Sequence, residues 1–394
     1  MSEWKECKLG DIADVQTGPF GSQLHQSDYV DVGIPSIMPV NIGDRMNIST
    51  EKIVYVTEED AIRLSRYRTQ KGDIVYSRRG DVEKCAYINE IEEGWLCGTG
   101  CLRIRIDSAH ADSKFVAYYL STEEMKSWIS NNAVGTTMPN LNSSILQQVP
   151  LSLPSLKEQK RIASILSSLD DKIDLLNREN KTLEAMAETL FRQWFIEEAK
   201  EDWEEGKLGD ILSVKGGTTP STKESSYWDG DIAWTSPRDV TTLNGIYLFK
   251  TEKTITEAGL KQISSGLLPK GTLLMSSRAP VGVLAFAEIP LAINQGYIAI
   301  LDDKGYAKEF IYLWLKANMN LVHSYSNGST FMEISKSAFK SLDITIPSQK
   351  EVFDFVTMIQ PYFDKIKLNE EQIRLITKQR DILLPKLMSN EIAI

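Results

Sequence analysis

The chain has 394 residues, of which 42% are hydrophobic and 25% charged, and its formal net charge is −10 at pH 7. This length and composition predict two or three packed domains and argue against extensive disorder. Because the net charge is negative, binding to DNA or to an anionic membrane requires local basic patches. The four cysteines all lie within the first 101 residues, and neither a signal-peptide pattern nor a membrane-spanning apolar run occurs. We therefore expect a cytoplasmic protein that does not associate with a membrane.

The sequence contains an internal repeat, in which residues of the first half recur at first 199 positions further along the chain. Later matches keep the same order while this offset shrinks to 193, as in Pro154-Ser155 against Pro347-Ser348. Such a repeat predicts two units of about 200 residues that follow each other along the chain. The first matches share an offset of 199: Trp4, Lys8, Leu9, Gly10, Asp11 and Ile12 recur as Trp203, Lys207, Leu208, Gly209, Asp210 and Ile211.

Each unit begins with a mixed segment that combines short strands and short helices. Apolar and polar residues alternate over 102–106, which predicts a half-buried strand, whereas 72–76 and 296–300 predict strands entered from glycine. A short helix is predicted over 115–120. Frequent Gly and Pro residues keep the strands short and the loops numerous. The predicted fold class is α+β, with two tandem, loop-rich mixed α/β domains, each followed by a long helix.

The two long helices carry a heptad pattern of apolar residues. Ser155 is the expected N-cap of the first helix, with Glu158 as its capping-box partner, and Pro361 should bend or restart the second helix. Asn180 is the single polar residue of the first seam, a feature that fixes register in coiled coils. Because a lone amphipathic helix cannot bury its apolar stripe, we expect the helices to pair as an antiparallel coiled coil with pseudo-twofold symmetry. The seams comprise Ile162, Leu166, Leu169, Ile173, Leu176, Asn180, Leu183, Ala187 and Leu190, and then Phe355, Ile359, Tyr362, Ile366, Asn369, Ile373, Ile376 and Leu383.

Four segments follow from these patterns. The first mixed domain is expected over 1–153 and the first helix over 154–197, then an acidic linker and the second mixed domain over 198–346, and the second helix over 347–394. The acidic run 197–205 reads as a solvated boundary. A seam of roughly 29 residues spans about 43 Å, which is close to one turn of B-DNA at about 34 Å.

Basic residues cluster locally in the first domain. Between positions 61 and 79, Arg63, Arg66, Arg68, Lys71, Arg78 and Arg79 are opposed only by Asp73. We interpret this cluster as a phosphate-contacting patch, with a solvated basic helix face as the alternative. Lys71 and Arg79 recur as Lys270 and Arg278. Arg pairs with guanine and Gln or Asn with adenine, so the candidate base readers are Gln16, Gln23, Arg78, Arg79, Arg238, Arg278, Asn294 and Gln295.

Short motifs occur in the same order in the two halves. The second half carries Gly217-Thr218-Thr219-Pro220, Tyr227-Trp228, Gly230-Asp231-Ile232-Ala233-Trp234, Lys270-Gly271-Thr272-Leu273-Leu274, Ser276-Ser277-Arg278, Asn294-Gln295-Gly296 and Gly328-Ser329-Thr330. The first half carries Thr17-Gly18-Pro19, Gly33-Ile34-Pro35, Lys71-Gly72-Asp73 and Gly135-Thr136-Thr137. These ordered, duplicated motifs resemble the specificity subunit of type I restriction–modification systems over essentially the whole chain. The first half departs from the second where Gly98-Thr99-Gly100 stands in place of Asn294-Gln295-Gly296, so contacts are not expected to transfer one to one between the halves.

The resemblance implies a function. Each mixed domain would be a target-recognition domain that reads one half of a split, asymmetric site in double-stranded DNA. The helices, through their seams, would set the gap and dock two copies of a methyltransferase subunit, with restriction or translocase subunits as a further class of partner. The chain itself would be non-catalytic and hold no cofactor, S-adenosylmethionine being bound by the methyltransferase. Motif positions add further candidate DNA contacts at Thr17, Lys71, Thr136, Thr137, Gly217, Thr218, Lys270, Ser277 and Ser329.

Motifs typical of an enzyme are missing from the sequence. The run 216–220 lacks the lysine of a phosphate-binding loop, and no motif of an S-adenosylmethionine-dependent methyltransferase occurs. Cys97 and Cys101 have no second pair nearby, and the three histidines are scattered, so zinc is not favoured. Two alternatives remain, a coiled-coil adaptor without DNA contact and a nuclease built from scattered carboxylates. Salt-sensitive DNA binding separates the adaptor from a DNA reader, and metal- or cofactor-dependent turnover identifies an enzyme.

Overall fold

The computed structural model describes residues 4–135, 139–278, 280–326 and 332–392. The chain folds into two compact units. Unit 1 comprises Met1–Lys172 and Ile376–Ile394, and unit 2 comprises Ile173–Leu375. Each unit therefore combines one mixed domain with part of both long helices.

The first mixed domain alternates short strands with short helices, as its frequent Gly and Pro residues predict. Its strands are β1 (Lys5–Lys8), β2 (Ala13–Thr17), β3 (Tyr29–Val30), β4 (Ile34–Ile37), β5 (Val54–Val56), β6 (Ile74–Ser77), β7 (Cys85–Tyr87), β8 (Leu96–Cys97), β9 (Cys101–Ile106) and β10 (Pro150–Leu153). Its helices are α1 (Leu9–Ile12), α2 (Glu58–Arg63), α3 (Ser113–Leu120), α4 (Glu123–Asn132) and α5 (Ser143–Gln147), followed by the long helix α6 (Leu156–Arg192).

The strands of unit 1 form two main sheets. One is antiparallel with the order β2-β9-β6-β7, and the other has the order β3-β5-β4-β8, in which β4 and β8 are parallel. β1 pairs separately with β10 in antiparallel orientation, which joins the two ends of the mixed domain. The strand predicted over 102–106 is confirmed as β9, yet its polar face is covered as well. Arg103 is buried and donates to Asp14 (2.9 Å), while Arg105 donates two 2.7 Å hydrogen bonds to the buried Asp73.

The second mixed domain follows the same plan. Its strands are β11 (Glu204–Lys207), β12 (Ser213–Lys215), β13 (Trp228–Thr235), β14 (Tyr247–Leu248), β15 (Lys253–Ile255), β16 (Leu273–Ser276), β17 (Leu284–Ala287), β18 (Leu291–Ile293), β19 (Tyr297–Leu301) and β20 (Asp343–Ile346). Its helices are α7 (Leu208–Ile211), α8 (Pro237–Thr241), α9 (Glu257–Leu260), α10 (Lys308–Ala317), α11 (Met319–Ser324) and α12 (Lys336–Lys340), followed by the long helix α13 (Gln349–Met388).

The sheets of unit 2 correspond to those of unit 1. One has the order β12-β19-β16-β17-β14, and the other has the order β15-β13-β18, in which β13 and β18 are parallel. β11 pairs with β20 as β1 pairs with β10. Because the first strand of each domain returns to pair with the last, the chain enters and leaves each mixed domain at the same place. The repeat in the sequence is thus a repeat of topology.

The two long helices pack together and run antiparallel. In unit 2, the ring of Phe191 on α6 lies 6.1 Å from that of Phe355 on α13, and Lys365 lies 3.7 Å from Glu179. In unit 1, Arg380 of α13 donates to Asp170 of α6 (3.0 Å). Residue numbers therefore rise along one helix as they fall along the other, which confirms the antiparallel pairing.

The second seam departs from the heptad prediction at one position. Phe363, which is 1% exposed, takes the buried place expected of Tyr362, which is only half-buried. The helix packs against the sheet domain as well as against α6, so its buried stripe drifts towards the 3.6-residue period of a globular helix. Of the two outcomes expected at Pro361, a bend or a restart, the restart does not occur, because α13 runs without interruption from Gln349 to Met388.

Both long helices begin with a serine cap. The Ser155 hydroxyl accepts a hydrogen bond from the Glu158 amide (3.3 Å), as predicted. In the second copy, Ser348 and Glu351 form the reciprocal capping box. Glu351 also accepts a hydrogen bond from the Trp203 indole (3.0 Å) and forms an ion pair with Lys200. Lys200, as the largest cause, and the hydrogen bonds from Ser348 lower the pKa of Glu351 to about 2. The start of α13 is therefore tied to the segment that precedes the second mixed domain.

The acidic boundary is shorter than the sequence predicts. Most side chains over 196–202 are exposed, as expected of a linker, but Glu204 and Glu205 belong to β11. Trp203 is half-buried and packs 5.7 Å from Phe195. No helix in the described part of the chain is long and apolar enough to cross a membrane.

Candidate nucleic-acid interface

In unit 2, four loops meet where β12, β13, β16 and β18 end. We define this group, residues 216–219, 235–238, 277–278 and 294–296, as loop cluster 2. The amide of Asn294 donates to the Thr235 carbonyl (3.1 Å), and that of Ser277 donates to the Gly296 carbonyl (2.8 Å). A side chain at Gly217 would collide with the Ile293 carbonyl, so only glycine lets these two loops approach. Backbone contacts thus fix the relative positions of the loops.

The same arrangement occurs in unit 1, where β2, β4, β6 and β8 end. Loop cluster 1 comprises residues 18–20, 36–38, 78–79 and 98–100. The amide of Gly98 donates to the Ile37 carbonyl (3.0 Å), and that of Arg78 donates to the Gly100 carbonyl (2.8 Å). A side chain at Gly18 would collide with the Gly98 carbonyl. Each contact has its counterpart in loop cluster 2.

A further pair of contacts extends the correspondence. Arg79 forms an isolated antiparallel bridge with Asn140, and Arg278 forms the same bridge with Glu333. The Arg278 guanidinium also lies 3.1 Å from the Glu333 carboxylate and forms an ion pair with it. Arg79 cannot form such an ion pair with its bridge partner, because Asn140 is uncharged. Arg79 is exposed, and Arg278 is about half exposed. Sequence reasoning identified both arginines but not Asn140 and Glu333, because these partners lie more than 50 residues from the arginines along the chain.

Most predicted DNA contacts of the second half belong to loop cluster 2. The Thr218 hydroxyl donates to the Gln262 carbonyl (2.6 Å), and Thr219 donates to the side-chain oxygen of Gln295 (2.6 Å). The Asn294 side-chain oxygen accepts from the Gly296 amide (2.8 Å), so it helps to shape its own turn. The residues placed in this cluster are Gly217, Thr218, Arg238, Ser277, Arg278, Asn294 and Gln295.

In the first half, Arg78 and Arg79 lie in loop cluster 1 and Thr17 ends the strand that leads into it. Gln16 is half-buried in β2, opposite Arg103. The side-chain oxygen of Gln23 accepts from the Phe20 amide (3.3 Å) and from the Tyr67 hydroxyl (2.9 Å). The candidates Thr136, Thr137 and Ser329 lie outside the described residues.

Lys71 and Lys270 do not lie in the loop clusters. Each precedes its strand, β6 or β16, whereas the clusters lie where those strands end. Lys71 forms an ion pair with Glu90, and Lys270 lies 3.0 Å from the buried carboxylate of Glu288. These carboxylates raise the pKa of both lysines. The two lysines therefore recur together with an acidic partner, and each forms an ion pair within its own domain.

The basic cluster of the first domain is partly neutralised by acids that the sequence window did not include. Arg63 pairs with Asp60 (2.5 Å), and Arg68 lies 3.6 Å from Glu58. Arg66 contacts the ring and hydroxyl of Tyr67. The local positive charge is consequently smaller than the count over 61–79 indicates, because helix α2 supplies the acids immediately before it.

Buried polar atoms without partners occur in and beside loop cluster 1. Among the described residues, the Ser36 hydroxyl and the Arg78 Nε of this cluster are buried and lack a hydrogen-bond partner. The same holds for the side-chain oxygen of Asn140, the residue that forms a β-bridge with Arg79. Such atoms are costly in a folded protein unless water or a ligand satisfies them.

The predicted seam residues are used within the chain. Ile162 and Leu166 belong to the core of unit 1, and Phe355, Ile359 and Ile366 belong to the core of unit 2. Ile173 and Leu176 are at most 1% exposed. The half-buried members of the predicted set are Leu169, Asn180, Leu183, Leu190, Tyr362, Ile373, Ile376 and Leu383. A partner that docks on the helices must therefore contact chiefly their outer faces.

The cysteine side chains are mostly buried. Cys85, Cys97 and Cys101 are buried, and all four are free thiols. Burial raises the pKa of Cys85 to about 11 and that of Cys97 to about 12, so both remain protonated at neutral pH. In the part of the chain that the structure describes, no group of three or more His, Cys, Asp or Glu residues is arranged to hold a metal ion.

Comparison with known proteins identifies the family. The model of the type I restriction modification DNA specificity domain matches residues 1–185 and again residues 200–378. The HindI specificity subunit of Haemophilus influenzae is 22% identical over the whole of both chains. The MjaIX specificity subunit of Methanocaldococcus jannaschii is 37% identical over 193 residues, a match that covers 48% of this chain and only 45% of that subunit.

The fold is also that of a solved structure. The S subunit of a type I restriction–modification system from M. genitalium superposes with a TM-score of 0.60 at 18% identity, covering 98% of this chain and 96% of that one. Its likeness concerns the fold, since the identity is low. Together with the two family matches along the sequence, the duplicated loop clusters show that the chain belongs to the type I restriction–modification DNA specificity family.

Proposed function

We propose that the chain is the non-catalytic subunit that gives a partner methyltransferase its DNA sequence specificity. The observation that supports this best is the duplication of the loop cluster, with the same backbone hydrogen bonds in both units. Rigid loops at strand ends, carrying Arg, Asn, Gln and Thr side chains, suit the reading of base edges and the contacting of phosphates. Two such clusters on one chain favour a site made of two half-sites.

The two half-sites differ in sequence. Although the backbones of the clusters correspond, Arg78 is matched by Ser277, and Gly98-Thr99 by Asn294-Gln295. Because side chains at base edges set specificity while backbone contacts set position, equal scaffolds with unequal side chains read unequal sequences. The target is thus a split and asymmetric site in double-stranded DNA.

The helix pair keeps the two half-sites at a fixed separation and presents its outer faces to partner subunits. Those partners are two copies of a methyltransferase subunit, which bind S-adenosylmethionine, and restriction or translocase subunits that join the same assembly. The polar side chains of the loop clusters bind DNA and take no part in the transfer of the methyl group. DNA methylation by the complex therefore requires this chain for its choice of site and the methyltransferase for its chemistry.

Methylation mapping tests the proposal. DNA is sequenced at single-molecule resolution from cells that express this chain with its methyltransferase, and from matched cells that express the methyltransferase alone. A split motif with a constant gap, present only with this chain, supports the proposed function. A methylated motif that is identical in both strains contradicts it. DNA binding by the purified complex, measured at increasing salt concentration, then distinguishes an adaptor that does not bind DNA from an inactive DNA reader.

A further inference from the structure

Phe20 and Arg78 form a cation–aromatic pair in loop cluster 1. The ring of Phe20 is 50% exposed, and the Arg78 guanidinium carbon lies 5.3 Å from the ring centre. A large aromatic side chain that is half open to solvent at a strand end is not needed for the core. Its ring instead limits the directions in which the Arg78 side chain extends.

The loop that carries Phe20 is held in place. The side-chain oxygen of Gln23 accepts hydrogen bonds from the Phe20 amide and from the hydroxyl of Tyr67, a residue only 3% exposed. Arg63 donates to the Gln23 carbonyl (2.9 Å). Gln23 therefore acts within the protein as the brace of this turn, and the ring position is fixed by hydrogen bonds rather than by the turn alone.

Hydrogen bonds hold the backbone of Arg78, and no acid among the described residues pairs with its side chain. Its amide donates to Gly100 (2.8 Å) and its carbonyl accepts from Leu141 (2.9 Å). Within the described ranges, no carboxylate lies within ion-pair distance of its guanidinium, and its buried Nε lacks a partner. Arg103, Arg105 and Arg278, by contrast, each pair with an acid. No acid among the described residues neutralises the Arg78 guanidinium, which leaves its charge for a ligand.

We propose that Arg78 reads a guanine in the half-site bound by unit 1, and that Phe20 is the positioning residue that orients its guanidinium. This inference rests on the proposed function and names one reader within it. A guanidinium donates two parallel hydrogen bonds to O6 and N7 of guanine in the major groove, a geometry that a directed side chain satisfies without reorganisation. Unit 2 has the buried Ser277 at the matching position, so its half-site lacks this reader.

The test measures methylation by the complete complex on DNA substrates that differ at single positions of the mapped site. Arg78→Ala and Arg78→Lys should each reduce the preference for guanine at one position of one half-site by about 5- to 150-fold, since neither retains the paired donors. Phe20→Ala should reduce the same preference by about two- to fivefold, and Phe20→Tyr should retain it because the ring remains. The other half-site stays unchanged in every variant.

Controls separate this inference from folding and from the proposed function. Arg78→Lys keeps the charge and the fold, and Ile91→Ala removes an exposed apolar side chain from unit 1 outside loop cluster 1, so it should leave the motif intact. Unaltered guanine preference in both Arg78 variants, or a Phe20→Ala variant indistinguishable from wild type, would overturn the inference while the split motif still stands. Absence of a split motif in the wild-type complex would instead overturn the proposed function.

Discussion

Asn369 of α13 donates its side-chain amide to the side-chain oxygen of Asn180 on α6 at 2.8 Å, and to Glu179 at 2.9 Å. Both asparagines are seam positions, one in each copy of the repeat, and they meet where the helices pair within unit 2. Asn369 is fully buried. A polar pair within an apolar interface costs stability but restricts the helices to the register in which the two residues face each other.

Replacement of Asn369 by Ala should lower the stability of unit 2 by about 1–3 kcal/mol, because a buried hydrogen bond is lost. The double replacement of Asn180 and Asn369 by Leu should restore or raise the thermal midpoint, since two apolar residues then face each other. Thermal unfolding followed by circular dichroism measures both. Leu368→Ala, at an exposed neighbouring position, is the control. A double variant that loses as much as the single one would contradict this view of the pair.

The carboxyl group of Glu370 should make unit 2 less stable as the pH rises. It is 6% exposed and accepts the amides of Ile246 (2.8 Å) and Tyr247 (3.1 Å), and burial raises its pKa from 4.5 to about 7. A pKa raised in the folded state means that stability is greatest below pH 4.5 and is lost as the pH rises through 7, by at most about 3 kcal/mol.

Glu370→Gln removes this titration, so its thermal midpoint should vary less between pH 5 and 8 than that of the wild type. The comparison is made as a difference between the two proteins, because other groups titrate in both. Parallel curves for the two proteins over this range would show that Glu370 is ionised in the folded state throughout.

Lys270 and Lys71 should differ in their effect on stability. Lys270 faces Glu288, whose side chain is 7% exposed and which also lies 3.5 Å from Lys367, whereas Lys71 faces Glu90, which is 77% exposed. Lys270→Ala leaves a buried carboxylate with one partner fewer, so the thermal midpoint falls; Lys71→Ala leaves a solvated one and changes little.

The same two variants decide whether these lysines contact phosphates. Loss of one phosphate contact reduces the slope of log affinity against log salt by about 0.9. Since both lysines lie away from the loop clusters, we expect the slope to stay the same in both variants. A reduced slope for either variant would show that the replaced lysine contacts a phosphate, as the sequence predicts.

Arg278→Ala should relax recognition of one half-site only. The arginine lies in loop cluster 2 and is held by Glu333 at 3.1 Å. Discrimination at one base pair is expected to fall by about 1–3 kcal/mol. Methylation of single-position substrates measures it, and size-exclusion chromatography with the methyltransferase checks assembly. Failure of the variant to bind the methyltransferase would sink the assignment of Arg278 to DNA.

Shortening both long helices by one heptad should shorten the gap between half-sites. The matched segments are 171–177 and 372–378, whose removal keeps the seam in phase and spares Asn180, Asn369 and Glu370. Seven residues correspond to about 10 Å, or about three base pairs. Methylation mapping reads the gap directly. Leu175→Ala with Leu375→Ala changes exposed residues in the same segments without changing length, and a gap that stays constant after the deletion would refute the helices as a spacer.

Periodic features were predictable from sequence because the information is local. The repeat, the caps at Ser155 and the antiparallel seam are confirmed, as is the strand that contains Leu102 and Ile104. The roles of individual charges were not predictable, since Lys270 finds its partner Glu288 only when β16 and β17 pair. The approach of Gly217 to Ile293 likewise depends on parallel pairing of β13 with β18, which no window of the sequence reveals.

The division of the helices between the units also bears on how the protein is made. Leu387 and Met388, near the end of α13, are buried in the core of unit 1 together with Ile162 and Leu166. A ribosome synthesises these residues after the whole of unit 2, so the unit whose synthesis starts first is completed only after the other has been translated. Until then unit 1 exposes the apolar surface that those two residues cover, and its core is closed only when the last turn of α13 has been made.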